Sequence, residues 1–133
     1  VFGSAQCETI DSMKDVSHPL GISIAEDPGG YTVIAYESDN GSLDLARPLP
    51  ALGLPGGSGN CGPENPFSTW RCETIRPYLS RIPAHQADFV SIAISESGLG
   101  TIAYHGFITA SGGNLDLAYQ LFEVFGPIIL HNH

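Results

Sequence analysis

The chain states one phrase twice. Ser23-Ile24-Ala25, Ile34-Ala35-Tyr36 and Leu43-Asp44-Leu45-Ala46 return in the same order as Ser91-Ile92-Ala93, Ile102-Ala103-Tyr104 and Leu115-Asp116-Leu117-Ala118. A Cys-Glu-Thr-Ile phrase accompanies each copy, at Cys7 to Ile10 and at Cys72 to Ile75. An internal repeat of this length constrains architecture before it says anything of chemistry.

The offset between copies is 65 at the cysteine phrase (Cys7 against Cys72), 68 at Ser-Ile-Ala and Ile-Ala-Tyr, and 72 at Leu-Asp-Leu-Ala. Insertions therefore fall at two places, which mark loops, and the segments between them mark structural elements. The second insertion is a Gly- and Ser-rich stretch between Tyr104 and Leu115. Gly21 to Glu26, Tyr31 to Glu37, Phe89 to Ser95 and Gly100 to His105 are short runs rich in β-branched, aromatic or small apolar residues. Leu43 to Arg47 and Leu115 to Tyr119 alternate apolar and polar. Such runs, bounded by Gly, Pro, Asn and Ser, predict strands. Asp27-Pro28-Gly29-Gly30, Asp39-Asn40-Gly41, Ser97-Gly98 and Ser111-Gly112-Gly113-Asn114 predict the turns between them.

Each copy thus supplies three hairpin-linked strands, and Trp70 to Ile75 supplies a fourth. Four antiparallel strands per repeat describe a β-propeller blade; two similar sheets in a plain β-sandwich are the competing architecture. The succession Ile-Ala-Tyr, Asn-Gly turn, Leu-x-Leu-Ala, Asn60-Cys61-Gly62 and Trp-x-Cys-Glu-Thr-Ile resembles repeats of secreted, disulfide-containing β-propeller proteins. The resemblance spans about residues 7 to 119. It implies an all-β, propeller-type fold of two four-stranded antiparallel blades, and only loosely a binding role. The 133 residues then form a single all-β unit, with repeat 1 at about 7–71 and repeat 2 at about 72–133.

Propellers close with about four to eight blades, so two copies cannot close alone. Completion is expected from oligomerisation, since a head-to-tail interface can close a ring, or from a part of the chain beyond this sequence. A compact two-sheet unit with different pairing is the third option. The start at Val1 rather than Met points to a processed, trimmed or partial chain. Contacts with other copies are expected through Cys7 to Ile10 and through the apolar stretch Leu121 to Leu130. That stretch would be an aggregation hazard if exposed, and Pro127 suits an edge or a bend.

Cys61 and Cys72 flank a Gly- and Pro-rich loop, and in an oxidising compartment a disulfide between them is expected; buried free thiols are the alternative. Cys7 matches Cys72 in the repeat, so the match to Cys61 would precede Val1. No Cys-x-x-Cys pair occurs and the five His are scattered, so no metal site is expected. His131 and His133 read as a polar end rather than as ligands. Asp39 to Asp44 spaces oxygen ligands as calcium loops do, but without the closing Glu it reads as a turn. No cofactor is implied.

A formal charge of −9, with 5 basic against 14 acidic residues, speaks against a nucleic-acid partner. No run of eighteen apolar residues suggests a membrane span. The expected disulfide and the resemblance together imply a secreted, extracellular setting.

Trp70, Tyr36, Tyr104, Asp44 and Asp116 are the candidate ligand-binding residues. Aromatic faces between blades suit sugars, and the repeated Asp residues can accept hydroxyl hydrogen bonds. For each the competing reading is packing or local pairing. No catalytic residues are assigned. Ser91, His105 and Asp116 make a triad on paper, yet no Gly-x-Ser-x-Gly elbow or Asp box accompanies them. The expectation is a non-catalytic extracellular binding or structural module with a glycan ligand. The alternatives are a self-assembling ring or filament protein, and a secreted glycoside-active enzyme using acids such as Glu73 and Asp116.

Overall fold

The computed structural model describes residues 5–12, 21–38, 41–62, 68–77, 89–109 and 112–122, with backbone alone for 106–109 and 113. It is all-β, with two antiparallel meanders. The first sheet has four strands in the order β1 (Ile22–Glu26), β2 (Thr32–Glu37), β3 (Leu43–Pro48) and β4 (Trp70–Arg76). The second has three among the described residues: β5 (Val90–Ile94), β6 (Leu99–Thr109) and β7 (Gly112–Leu121). The anticipated fourth strand of the second sheet is not among them. Sequence after Ala118 lacks a third cysteine phrase, and residues 123–133 lie outside the described residues.

Equivalent positions of the two repeats pair in equivalent registers. Ser23 opposes Ala35 and Ile24 opposes Ile34; Ser91 opposes Ala103 and Ile92 opposes Ile102. The β1–β2 and β5–β6 turns are also alike. Asp27 Oδ1 accepts from the amides of Gly29 and Tyr31, both at 2.9 Å, while Ser95 Oγ accepts from the Leu99 amide at 3.1 Å. Gly30 (φ 85°) and Gly98 (φ 89°) close these turns in a backbone region that strains any residue with a Cβ.

The β6–β7 hairpin departs from expectation. The Gly- and Ser-rich stretch after Tyr104 reads as a loop in the sequence, yet pairing runs to Gly106 opposite Asn114 and returns at Thr109 opposite Gly112. A register shift between Gly106 and Thr109 takes up one extra residue as a bulge, and the rest of the insertion lengthens the two strands. Asp39 and Asn40 of the second predicted turn lie outside the described residues.

The sheets pack on each other, and the faces they use are not equivalent. Sheet 1 contributes Val33, Ala35, Leu43 and Leu45, with Ala25 and Ile75 beside them. Sheet 2 contributes Val90, Ile92, Ile102 and Tyr104, with Ala118. The repeat counterparts of Ala25, Ala35, Leu43 and Leu45 are Ala93, Ala103, Leu115 and Leu117, which lie on the opposite, outer face of sheet 2. The counterparts of Val90, Ile92, Ile102 and Tyr104 are Ile22, Ile24, Ile34 and Tyr36, on the outer face of sheet 1. Two copies of one unit related by a two-fold axis would bury equivalent faces; these bury unlike faces, head to tail.

Phe122, 1% exposed, closes one end of the core. Its amide donates to the Gly98 carbonyl at 2.7 Å, and the Arg47 guanidinium lies 4.8 Å from the ring centroid. A Cβ on Gly100 would run into the Phe122 ring, so this position admits no side chain without movement. The predicted apolar tail from Leu121 is thus split: Leu121 is exposed at the end of β7, Phe122 is core, and Glu123 to Leu130 lie outside the described residues.

The expected disulfide is present between Cys61 and Cys72, with Cα atoms 5.3 Å apart. Among the described residues no helix is long and apolar enough to cross a membrane.

Candidate functional site

Segment 5–12 belongs to neither ladder and lies against the outer face of sheet 1. Ile10 packs with Ile34, Tyr36 and Ala46, and Trp70 and Cys72 flank the same cluster. The strands beneath it are covered on both faces, which explains why β2 reads as a continuous apolar run rather than an alternation. Tyr36 Oη donates to Asp11 Oδ2 at 2.7 Å and approaches Cys72 Sγ at 3.3 Å. Burial first, then the hydrogen bond to Asp11, then the charges of Asp11 and Asp44 push the phenol well above its ordinary range.

The arrangement repeats across the core. Ile75 packs against the core between the sheets, and Arg76 Nη1 donates to Tyr104 Oη at 2.9 Å. The same guanidinium lies 3.7 Å from Asp116. Ile10 corresponds to Ile75, Asp11 to Arg76, and Tyr36 to Tyr104. Segment 7–11 therefore sits on sheet 1 as the end of β4 sits on sheet 2. One junction uses a carboxylate below the tyrosine, the other a guanidinium.

Two clefts open beside this segment. One of about 340 Å³ is lined by Ile10, Asp11, Ile22, Ile34, Tyr36 and Ala46 among others, and its walls are largely apolar. The other, of about 330 Å³ and largely polar, is lined by Cys7, Glu8, Thr9, Ser68, Thr69 and Trp70. The backbone at Trp70 is held firmly. Its amide donates to Ser68 Oγ at 3.1 Å, and its carbonyl accepts from the Asn60 amide at 3.0 Å. Asn60 also brackets Cys72: Oδ1 accepts from the Cys72 amide and Nδ2 donates to the Cys72 carbonyl at 3.0 Å. The Asn60 side chain thus pairs with the outer edge of β4 as a strand would, beside the disulfide.

The five predicted binding residues do not converge. Trp70 is half-buried at the polar cleft, and Tyr36 lines the apolar one at 4% exposure. Tyr104, 1% exposed, is a core residue between the sheets. Asp44 accepts from Ser42 Oγ at 2.7 Å and lies on the sheet 1 face opposite to Leu43 and Leu45. Asp116 faces the sheet interface beside Arg76. Cys7 is exposed and unpaired. Of the paper triad, Ser91 and His105 lie on the outer face of sheet 2 and Asp116 on the inner one. His105 instead tilts against Phe89, ring centroids 5.8 Å apart. Glu73 lines a third cleft of about 300 Å³ with Arg47 and Arg71, away from Asp116's partner Arg76. Among the described residues no three His, Cys, Asp or Glu side chains converge as a metal site would require.

Sequence reasoning missed Asp11, which follows the cysteine phrase and has no like-charged counterpart to flag it. It also missed the Asp27–Arg47 pair, 3.8 Å apart and almost wholly buried. Burial pushes the Arg47 guanidinium down from its usual value, and the nearby Asp27 and Glu73 carboxylates oppose that shift. Comparison with models of known families, with curated proteins and with solved structures finds no match.

Proposed function

We propose that the chain is a non-catalytic extracellular module of propeller-blade type that binds carbohydrate in the polar cleft beside Trp70. The observation that carries this is the largely polar lining of that cleft, to which Trp70, Thr9, Ser68, Thr69 and Glu8 all contribute. A sugar offers one apolar C–H face for an aromatic ring and a rim of hydroxyls for polar groups, which is the same division of chemistry. The head-to-tail stacking of the sheets supports the blade reading, because successive blades bury unlike faces. The Cys61–Cys72 disulfide supports an oxidising, extracellular setting.

A glycan array followed by titration of any hit tests the reading. Trp70→Ala is expected to weaken binding about tenfold, the scale of one aromatic contact. Glu8→Gln should weaken it less, with Arg71→Ala as an unaffected control outside the cleft. Absence of binding to every glycan sinks the proposal.

A second reading, a self-assembling structural module, is favoured by a separate observation. Leu115, Leu117, Tyr119 and Leu121 on sheet 2 and Ile22 and Ile24 on sheet 1 are all more than half exposed. Two apolar sheet faces of this kind mark interaction surfaces.

A further inference from the structure

We infer that the outer face of sheet 2 and the outer face of sheet 1 are the two halves of one interface, joined between copies of this chain. In that interface segment 7–11 of one copy pairs with β7 of the next, as the fourth strand of its second sheet.

The chain already contains the interface once, between its own sheets. There, Val33, Ala35, Leu43 and Leu45 bury Val90, Ile92, Ile102 and Tyr104. The equivalents of the first set, including Leu115 at 71% exposure and Leu117 at 52%, are the outer face of sheet 2. Equivalents of the second set, including Ile22 at 64% and Ile24 at 63%, are the outer face of sheet 1. One copy's sheet 2 can therefore cover another copy's sheet 1 by the step that already relates sheet 1 to sheet 2. The largely apolar cleft on sheet 1 is where the covering side chains would enter.

The strand count agrees. Sheet 1 has four strands, sheet 2 has three among the described residues, and segment 7–11 lies on sheet 1 outside any ladder. Its placement there reproduces that of the end of β4 beside sheet 2, down to the contact with the tyrosine. The end of β4 reaches sheet 2 at Arg76 while the strand pairs with β3 of its own sheet; segment 7–11 reaches sheet 1 with no strand paired to it among the described residues. The β3–β4 register opposes Ala46 to Cys72, Leu45 to Glu73 and Asp44 to Thr74. Carried over by the repeat, it opposes Ala118 of one copy to Cys7 of the next, Leu117 to Glu8 and Asp116 to Thr9. Such a contact is heterologous, so it leads to a ring or a filament rather than an isolated pair.

This inference rests on the self-assembly reading of these faces and is independent of the carbohydrate reading. Its test uses the native Cys7 as a reporter. Under mild oxidation Ala118→Cys should convert the monomer band on a non-reducing gel to reductant-sensitive oligomers. Cys7→Ser in the same variant should abolish them, and Gly56→Cys, placed in open space, should not form them. Should Ala118→Cys fold poorly, a second pair of variants decides independently. Ile24→Glu and Leu117→Glu each change one exposed face and leave the shared core alone. By light scattering each should be monomeric by itself, and an equimolar mixture should form a dimer and stop there, because one intact junction remains. A wild-type chain that stays monomeric at tens of micromolar overturns the inference, as it would if these faces served further repeats of a longer polypeptide. So does an oligomer that both glutamate variants leave intact, or a mixture that fails to dimerise.

Discussion

Tyr36 and Tyr104 hold the same place in the repeat and do different electrostatic work. Tyr104 accepts from Arg76, whereas Tyr36 donates to Asp11. A phenol that must stay protonated to donate, and whose pKa is raised in the fold, binds its proton more tightly folded than unfolded. Its contribution is complete below the ordinary tyrosine pKa of about 10 and is lost as pH rises beyond it. The denaturation midpoint of a Cys7→Ser background should therefore fall above pH ~10. Tyr36→Phe should cost about 1 kcal/mol at neutral pH through the hydrogen bond lost by Asp11, and should show a shallower alkaline decline. Urea titrations between pH 8 and 11 would show both; equal slopes for the two proteins would refute the assignment. Gly100 gives a second residue-scale prediction. Its Cβ position is already filled by the Phe122 ring, so Gly100→Ala should destabilise by about 1–3 kcal/mol, in the range of core overpacking. Phe122→Ala should cost about 3–5 kcal/mol by leaving a cavity. Neither effect is legible in sequence. Gly100 looks like any strand-end glycine, and Phe122 sits in an apolar run that gives no sign of which residue turns inward.

At the scale of the element, the strands were legible because hydrophobic runs end at residues with a local reason to turn. Asp27 caps the amides of its own turn, and Gly30 and Gly98 take positive φ. The β6–β7 hairpin was not legible in full. Gly and Ser usually announce a loop, but here pairing extends into them because the facing strand supplies the register, with a bulge where it shifts by one residue. The Cys61–Cys72 bridge was legible from loop composition. Its reinforcement by Asn60 was not, since the spacing that lets one amide side chain bracket Cys72 depends on the folded loop. Closing a loop of 11 residues in sequence separation should contribute roughly 3 kcal/mol through the unfolded chain. Replacing both cysteines by Ser should lower stability by about that much in urea titration. An unchanged midpoint would mean that the Asn60 bracket holds β4 by itself. The candidate site was half legible: Trp70 was named from its aromatic character and Ser68 and Thr69 adjoin it in the chain, while Glu8 and Thr9 reach it through segment 5–12, whose placement no local pattern announces.

For the whole molecule the governing quantity is charge. Copies carrying −9 repel one another, so any association through apolar faces should strengthen as salt screens that repulsion. Light scattering from 20 to 500 mM NaCl should show the assembled fraction rising. A fall with salt would mean that ion pairs, not apolar faces, hold the copies together. Binding of an uncharged sugar should change little over the same range, so the two activities separate by ionic strength alone.

The burial of unlike faces has one more consequence. A step between unlike surfaces, repeated, never meets itself after two applications, as a two-fold pairing does. How many sheets belong together is then a question of geometry rather than of affinity: the rotation per step must divide the circle, or the stack runs on. That rotation is set inside the chain by the wedge of volume between Ala25 and Ala35 on one sheet and Ile92 and Tyr104 on the other. A methyl group added at Ala35 would alter the stoichiometry of an assembly without touching either surface that joins its members, and native mass spectrometry would count the difference.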